Sequence, residues 1–513
     1  MEVYAMEKFF DTDKRIRLGI WGLGRGKNFV DSARLLNIDV VAGCDIHEEI
    51  RERFKKDVPE AYCTADEKEF LACDMDAVLI ATFLPDHAKH SIMALEAGKH
   101  VLCEVTPFQT PADAVKLIEA MEKSGKIYNL LENYPFTPEN MYMQKRYQEG
   151  FFGDFMYGEF EYLHECRTLS YGYNTRPKSI PVEPGYAVHN WRSSLNYHYY
   201  CTHSLGPAMY ITDLRPESVS ALRDEVSLPG YLEGIRSGTA CPSMIKMSNG
   251  GLVRNLMGGT TNDFHAGMRF WGTRAGAQHI RNEFQLRIGG SGYGYLLDVK
   301  PELDEVWQFA LKSGHGGGDF WELYFFAREF LFGEKAFWDV YRGADVALAG
   351  IMAVRSEQLN GQAVRIPDLR DPVERELYRN DNGIAKVDFD PSDIFPAGHE
   401  TEIAGNFTRV MTELYPMDFG GLNLATAVFD GMKIYKDIRN AEGKLELRDG
   451  VNQLIKELPQ ICENCKMAQK IMEMYPDSVP GHTIARMLES QDLERLLNPE
   501  RTIAELQAWQ ADL

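Results

Sequence analysis

The sequence of 513 residues contains no apolar run of 18 residues, and no basic stretch followed by an apolar one opens it. A bilayer-crossing helix needs about 20 consecutive apolar residues, and an export signal needs that opening pattern. A soluble, unexported chain is therefore expected. Positive charge is also short: 55 Lys and Arg stand against 76 Asp and Glu, a formal net charge of −21. Phosphate backbones and anionic headgroups would be repelled, which sets nucleic acid and membrane aside as partners. Internal repeats and low-complexity tracts are missing. The nine cysteines, an odd number, lie scattered, as expected of reduced thiols in cytoplasm. Only Cys462 and Cys465 form a C-x-x-C, and no second pair lies nearby to complete a four-ligand zinc site. Their flanks, "QLIKEL" and "KMAQKIMEM", read as helix, so the pair is expected on a helix face.

With 44% hydrophobic and 26% charged residues, the chain has material for two or three domains. The first informative stretch is "LGIWGLGRGKNF", residues 18–29. The run "IRLGIW" before the glycines has the length and composition of a buried parallel strand. After them, Phe29, Val30, Ala33 and Leu36 recur at close to helical spacing, and "DVVAGCD" is a second strand ending on Asp45. Glycines at a strand-to-helix turn let the backbone approach a pyrophosphate, to which the helix N-terminus offers N–H donors. The turn Gly22, Leu23, Gly24, Arg25 and Gly26 is the expected phosphate site, although its third glycine comes one residue earlier than in G-x-G-x-x-G. Asp45 is placed to accept both ribose hydroxyls and to repel a 2′-phosphate, so NAD is expected rather than NADP.

Strand and helix alternate onward through "DAVLIAT", "HAKHSIMALEAG", "KHVLCEV", "PADAVKLIEAMEKSG" and "IYNLLEN". This alternation predicts an α/β fold opening with a doubly wound parallel Rossmann sheet, its ligand at the strand carboxyl ends. Thr82, Glu104 and Asn133 lie at such ends. From about residue 155, strand-like runs separated by Gly- or Asn-containing turns predict a large antiparallel or mixed sheet with one open face. Helical periodicity returns in "GGGDFWELYFFAREFLFG" and "VYRGADVALAGIMAVRSEQL", and the last hundred residues read as mostly helical. The expected domains are 1–135 for the dinucleotide, 136–395 for substrate and oligomerisation, and 396–513 as a helical extension. An open sheet face must be buried somewhere, so a homo-oligomer is expected. Ile484, Met487, Leu488, Leu493, Leu496 and Leu497 recur at spacings of three and four, so the tail should pack on protein, covering that face or gripping a neighbour.

Taken together, "GLGRG", "CD", "IATFLPDHA", "MALEAGKHVLCE", "LLENYPF", "FGDFMYGEF" and "RFWGTRAGA" resemble the Gfo/Idh/MocA oxidoreductases over about residues 15–365. The resemblance implies a Rossmann domain followed by an α/β domain, NAD, and a sugar substrate. It implies that Thr82 and His87, matching T-x4-H, line the cofactor. The family's E-K-P reads Glu104-Val105-Thr106-Pro107 here, without the lysine. Glycoside hydrolase family 109, the NAD-dependent α-N-acetylgalactosaminidases, also lacks it, and "GEFEYLHECR", "NWR", "YHYYCTHSLGP" and "SGHGGGDF" resemble segments of that branch. Thr106 and the C-terminal extension depart from it.

His203 is the expected acid/base, because an imidazole suits proton removal from a hydroxyl near neutral pH, and Tyr200 the expected proton relay. The plainer reading of His203 is a buried histidine at a helix start. His164 and Arg167 are candidates for sugar hydroxyls, against a solvated strand edge. By resemblance, Trp191 and Arg192 contact cofactor or sugar, and Tyr134 faces the sugar. His315 and Asp319 begin a helix after a Gly-rich turn; they are substrate candidates, or Asp319 is merely an N-terminal helix acid. The spacing of His164, Cys166, His198, Cys201 and His203 matches no tight ligand pattern, so no metal is expected. The combined expectation is NAD-dependent oxidation of a sugar or glycoside hydroxyl at C3. A redox-assisted glycosidase and a non-catalytic dinucleotide sensor stand as alternatives.

Overall fold

The computed structural model describes residues 9–165, 167, 196–226, 228–231, 240–281, 283–384, 400–416 and 419–511, without the side chains of 260–264 and 400–405. Six short strands form the first sheet: β1 (Ile16–Trp21), β2 (Ile38–Cys44), β3 (Tyr62–Thr64), β4 (Ala77–Ile80), β5 (His100–Glu104) and β6 (Tyr128–Leu131). Their order is β3-β2-β1-β4-β5-β6 and every pairing is parallel. β4 and β6 are buried at every residue, as in a sheet covered on both faces, which is why their sequences show no alternation. The order reverses direction between β1 and β4. At that switch point a crevice opens beyond the carboxyl ends of the strands.

Among the described residues the second sheet has nine strands: β7 (Phe155–Glu165), β8 (Pro216–Ala221), β9 (Ala240–Met247), β10 (Leu252–Gly258), β11 (Thr260–Gly272), β12 (Gly276–Ile280), β13 (Glu283–Ile288), β14 (Tyr295–Asp298) and β15 (Val364–Arg365). Their order is β14-β13-β12-β11-β7-β10-β9-β8-β15, parallel only between β7 and β10. Here alternation is plain. β9 buries Cys241, Ser243, Ile245 and Met247 and exposes Pro242, Met244 and Lys246. The buried face packs on the helices Thr202–Thr212 and Val340–Gln358. The other face carries an ion-pair network of Glu159 and Glu161 with Arg254 and Arg269.

The chain then returns to the first sheet. Leu130 N donates to Trp338 O at 2.9 Å, Ala112 N to Asp381 O at 3.0 Å, and Arg375 pairs with Glu122. The helices Glu400–Leu414, Gly421–Ile434, Ala441–Met474, Val479–Glu489, Leu493–Leu496 and Pro499–Ala511 enclose a separate core. Ile484, Met487, Leu488 and Leu496 are buried in it, with Leu493 and Leu497 at its margin. The helical module itself therefore receives the tail's apolar stripe. Cys462 and Cys465 are buried on its longest helix. The module is anchored at the end of β7: Arg167 donates to Asn423 Oδ1 at 2.8 Å, and its guanidinium lies 4.1 Å from the centre of the Tyr415 ring. Among the described residues no helix is long and apolar enough to cross a membrane.

Candidate functional site

Gly22 follows β1 at a φ of 91°, and a Cβ there would lie 2.3 Å from Ala81 O. Only glycine lets the turn press so closely on the end of β4. Asp45, just past β2, braces the turn by accepting from Leu23 N at 2.9 Å, while its other oxygen accepts from His47 N at 3.0 Å. The closely packed turn, the acid beyond β2 and the crevice at the switch point together fit a dinucleotide.

The crevice continues into a cavity. Its walls bring together Arg25, Thr82, His87, Glu104, Asn133, Tyr200, His203 and His315, all singled out by the sequence. One side is a charged lattice. Arg25 Nε donates to Glu104 at 2.6 Å, and its two terminal nitrogens donate to the Asp319 carboxylate at 2.7 and 2.8 Å. Asp319 also accepts from His315 Nδ1 at 2.8 Å and from Asn133 Nδ2 at 3.3 Å. Burial works against its charge, yet Arg25 and His315 hold its carboxyl well below the usual carboxylate range. Asp319 is fully buried behind Arg25 and positions that guanidinium; it does not line the cavity. One helical turn on, Glu322 is buried with no hydrogen bond to either oxygen among the described residues. Burial, reinforced by Asp319 and Glu104 against the pull of Arg25, pushes its carboxyl well above the ordinary range.

The facing side is aromatic. His203 sits in the first turn of the helix Thr202–Thr212, its ring 4.6 Å from that of Tyr134, 4.8 Å from Tyr162 and 5.0 Å from Tyr200. Its Nδ1 bonds the carboxylate of Glu132 at 2.8 and 3.0 Å, and Glu132 is wholly buried. Nε2 is then the nitrogen left for a substrate proton. Sequence reasoning missed Glu132 and Tyr162. An acid ending an otherwise apolar strand, the signal that marked Asp45, also marks Glu132 in "LLEN".

Other candidates lie farther out. Tyr134 and His203 line a second cavity beside the first. The His164 ring is 5.9 Å from that of Tyr162, with Nδ1 2.8 Å from Glu165 O. Arg167 turns away to Glu165, Pro229 O and the helical module, so its donors are already engaged. Trp191 and Arg192 lie outside the described residues. Among the described residues no three His, Cys, Asp or Glu side chains are arranged to hold a metal ion.

Residues 16–131 match the family model described as an oxidoreductase family with an NAD-binding Rossmann fold. They form a Gfo/Idh/MocA NAD-binding domain. Two curated relatives match beyond this domain. Glycosyl hydrolase family 109 protein 1 of Shewanella sp. (strain ANA-3) is 26% identical over 398 residues, spanning 69% of this chain and 84% of that one. The alpha-N-acetylgalactosaminidase of Shewanella oneidensis has the same identity and coverage. Among solved structures, levoglucosan dehydrogenase in complex with NADH and levoglucosan superposes with a TM-score of 0.57 at 17% identity, over 69% of this chain and 100% of that one. UDP-N-acetylglucosamine 3-dehydrogenase from Acidithiobacillus ferrooxidans gives 0.51 at 16%, over 68% and 100%. At such identities the structures establish shared fold. The helical module begins at Glu400 of this chain.

Proposed function

We propose that the protein oxidises a sugar or glycoside hydroxyl, at C3, to a keto sugar in an NAD-dependent reaction. The observation that carries this reading is the buried Glu132–His203 pair opening on the same cavity as Arg25 of the glycine turn. Gly22, Leu23, Gly24, Arg25 and Gly26 would hold the pyrophosphate and Asp45 the ribose, with Thr82, Glu104 and Asn133 along the nicotinamide side. Bound NAD supplies the hydride acceptor. His203 Nε2 takes the hydroxyl proton as the hydride leaves the same carbon, and Glu132 fixes the ring through Nδ1 and offsets the imidazolium charge. Tyr200 and Tyr134 present hydroxyl-bearing rings to the sugar, and His315 stands at its charged edge.

A second reading is favoured by the curated relatives: the same oxidation begins a glycosidase cycle. A C3 ketone acidifies the C2 proton, whose removal expels the aglycone from C1; water would then add across the resulting C1–C2 double bond, and hydride returned to C3 would leave the hydrolysed sugar and NAD. Incubation with NAD and a panel of glycosides separates the two. Stoichiometric NADH is expected; aglycone release without net NADH would transfer the assignment to the glycosidase. NAD binding with no turnover of any sugar would leave a dinucleotide sensor.

The open face of the second sheet, with Tyr157 and Trp271 beside its ion pairs, supports pairing with a second copy of this chain. Light scattering of the full chain is expected to give a homo-oligomer, and a monomer would overturn that.

A further inference from the structure

His87 begins the helix His87–Glu96 and is almost wholly buried against the cavity. Its Nδ1 lies 2.9 Å from Thr106 O and its Nε2 3.0 Å from Thr82 O. A carbonyl oxygen can only accept. A neutral imidazole has one N–H, so in that state one of the two contacts would set a lone pair against a lone pair. Only a ring protonated at both nitrogens satisfies both carbonyls. Burial opposes a charge here, but the adjacent Cys103 and the two carbonyls outweigh it and push the ring up to about 9. Asp86 and His90 lie on its own segment, and Arg25, Glu104, Tyr200, His203 and His315 line the same cavity. Burial holds His90 below its ordinary value, and Glu104 is engaged by Arg25. The cavity's two cations therefore differ. Arg25 is matched by two carboxylates, whereas the ring of His87 meets two neutral carbonyls and the Cys103 side chain.

We propose that His87 stands in the cleft as a standing imidazolium that sets the balance between the two redox states of the bound dinucleotide, favouring the reduced one. The oxidised nicotinamide ring carries a positive charge and the reduced ring none. His87 lines the same cavity as His203, where the reacting ring must meet the substrate carbon, so its charge disfavours only the oxidised form. The effect draws hydride out of the bound alcohol. The inference rests on the cleft's taking NAD with its nicotinamide beside His203.

The test measures dissociation constants for NAD+ and NADH by calorimetry on the full chain, His87→Gln and His87→Asn. The wild type is expected to prefer NADH, and each substitution to shrink that preference on the order of tenfold, chiefly by tightening NAD+. An unchanged ratio with both dinucleotides still bound overturns the inference and leaves the cleft assignment standing. Failure of the wild type to bind either dinucleotide overturns both. Because the substitutions disturb a buried residue, long-range 15N–1H spectra of the histidine-labelled wild type give a second measurement. Both His87 ring nitrogens are expected to stay protonated from about pH 6 to about pH 8, and a single neutral tautomer there would refute the proposal.

Discussion

The two walls of the cavity are built from the same kinds of residue and serve opposite ends. On one, Arg25, Glu104, Asp319, His315 and Asn133 satisfy one another in a lattice of short bonds. On the other, one histidine and one buried carboxylate stand among tyrosine rings. A lattice in which every charge is matched resists protonation and holds a shape. An isolated pair in an aromatic cage has one nitrogen left over, and that nitrogen can exchange a proton. Rigidity and reactivity are thus separated across a single cleft.

That contrast breaks if removing His203 changes binding and leaves rate alone. His203→Ala is expected to lower kcat about 10²–10⁴-fold, the usual contribution of a positioned acid/base, with the dissociation constant for NAD unchanged. Glu132→Gln should move kcat the same way by less, and steady-state kinetics beside calorimetry separates rate from affinity. The charged wall should answer in stability. Arg25→Ala strands Glu104 and Asp319 without their cation and is expected to cost about 3–5 kcal/mol in chemical denaturation; a loss confined to turnover would contradict the division of labour. Asp45→Ala, at the far end of the crevice, should weaken NAD about tenfold and relax discrimination against NADP. Tighter binding of NADP by the wild type would reverse the ribose assignment.

The smallest effect sharpens the contrast within one helix. Asp319 and Glu322 are one turn apart and both buried, but among the described residues only Asp319 has hydrogen-bond partners. Glu322 keeps its proton in the folded state at pH values where the unfolded chain has lost it. Its contribution to stability is therefore present below the ordinary glutamate range and is lost as pH rises from there toward its elevated folded value. Glu322→Gln should stabilise the protein at neutral pH by on the order of 1 kcal/mol, with the advantage fading in acid. An advantage that persists undiminished into acid would contradict the assignment.

What the sequence revealed of this arrangement follows the range of each signal. The parallel sheet was legible because strand, turn, helix and acid succeed one another within 30 residues, and Thr82, Glu104 and Asn133 could be placed at strand ends by counting. His203 stood out through its own segment. Glu132 was visible as an acid at a strand end, but its partner lies 71 residues away and no local pattern joins them. The capture of Arg167 by Asn423 spans 256 residues, so a residue resembling a sugar ligand is instead an anchor for the helical module. The apolar stripe of the tail could be read, yet its destination could not, since periodicity says that a face is buried and not against what.

Arg25 and Asp319 are separated by 294 residues. A chain emerging from the ribosome presents the whole first sheet long before the acid that locks its glycine turn has been made. Domains generally fold as units during synthesis, and until Asp319 is made Glu104 is the only one of Arg25's two carboxylate partners that the chain contains. The helix Gly318–Phe332 that carries Asp319, and the backbone bonds of Trp338 and Asp381 that fasten the returning chain to the sheet, all come from later in the sequence. The order of manufacture thus withholds the second carboxylate of Arg25 until every described strand of the second sheet but the last has been made.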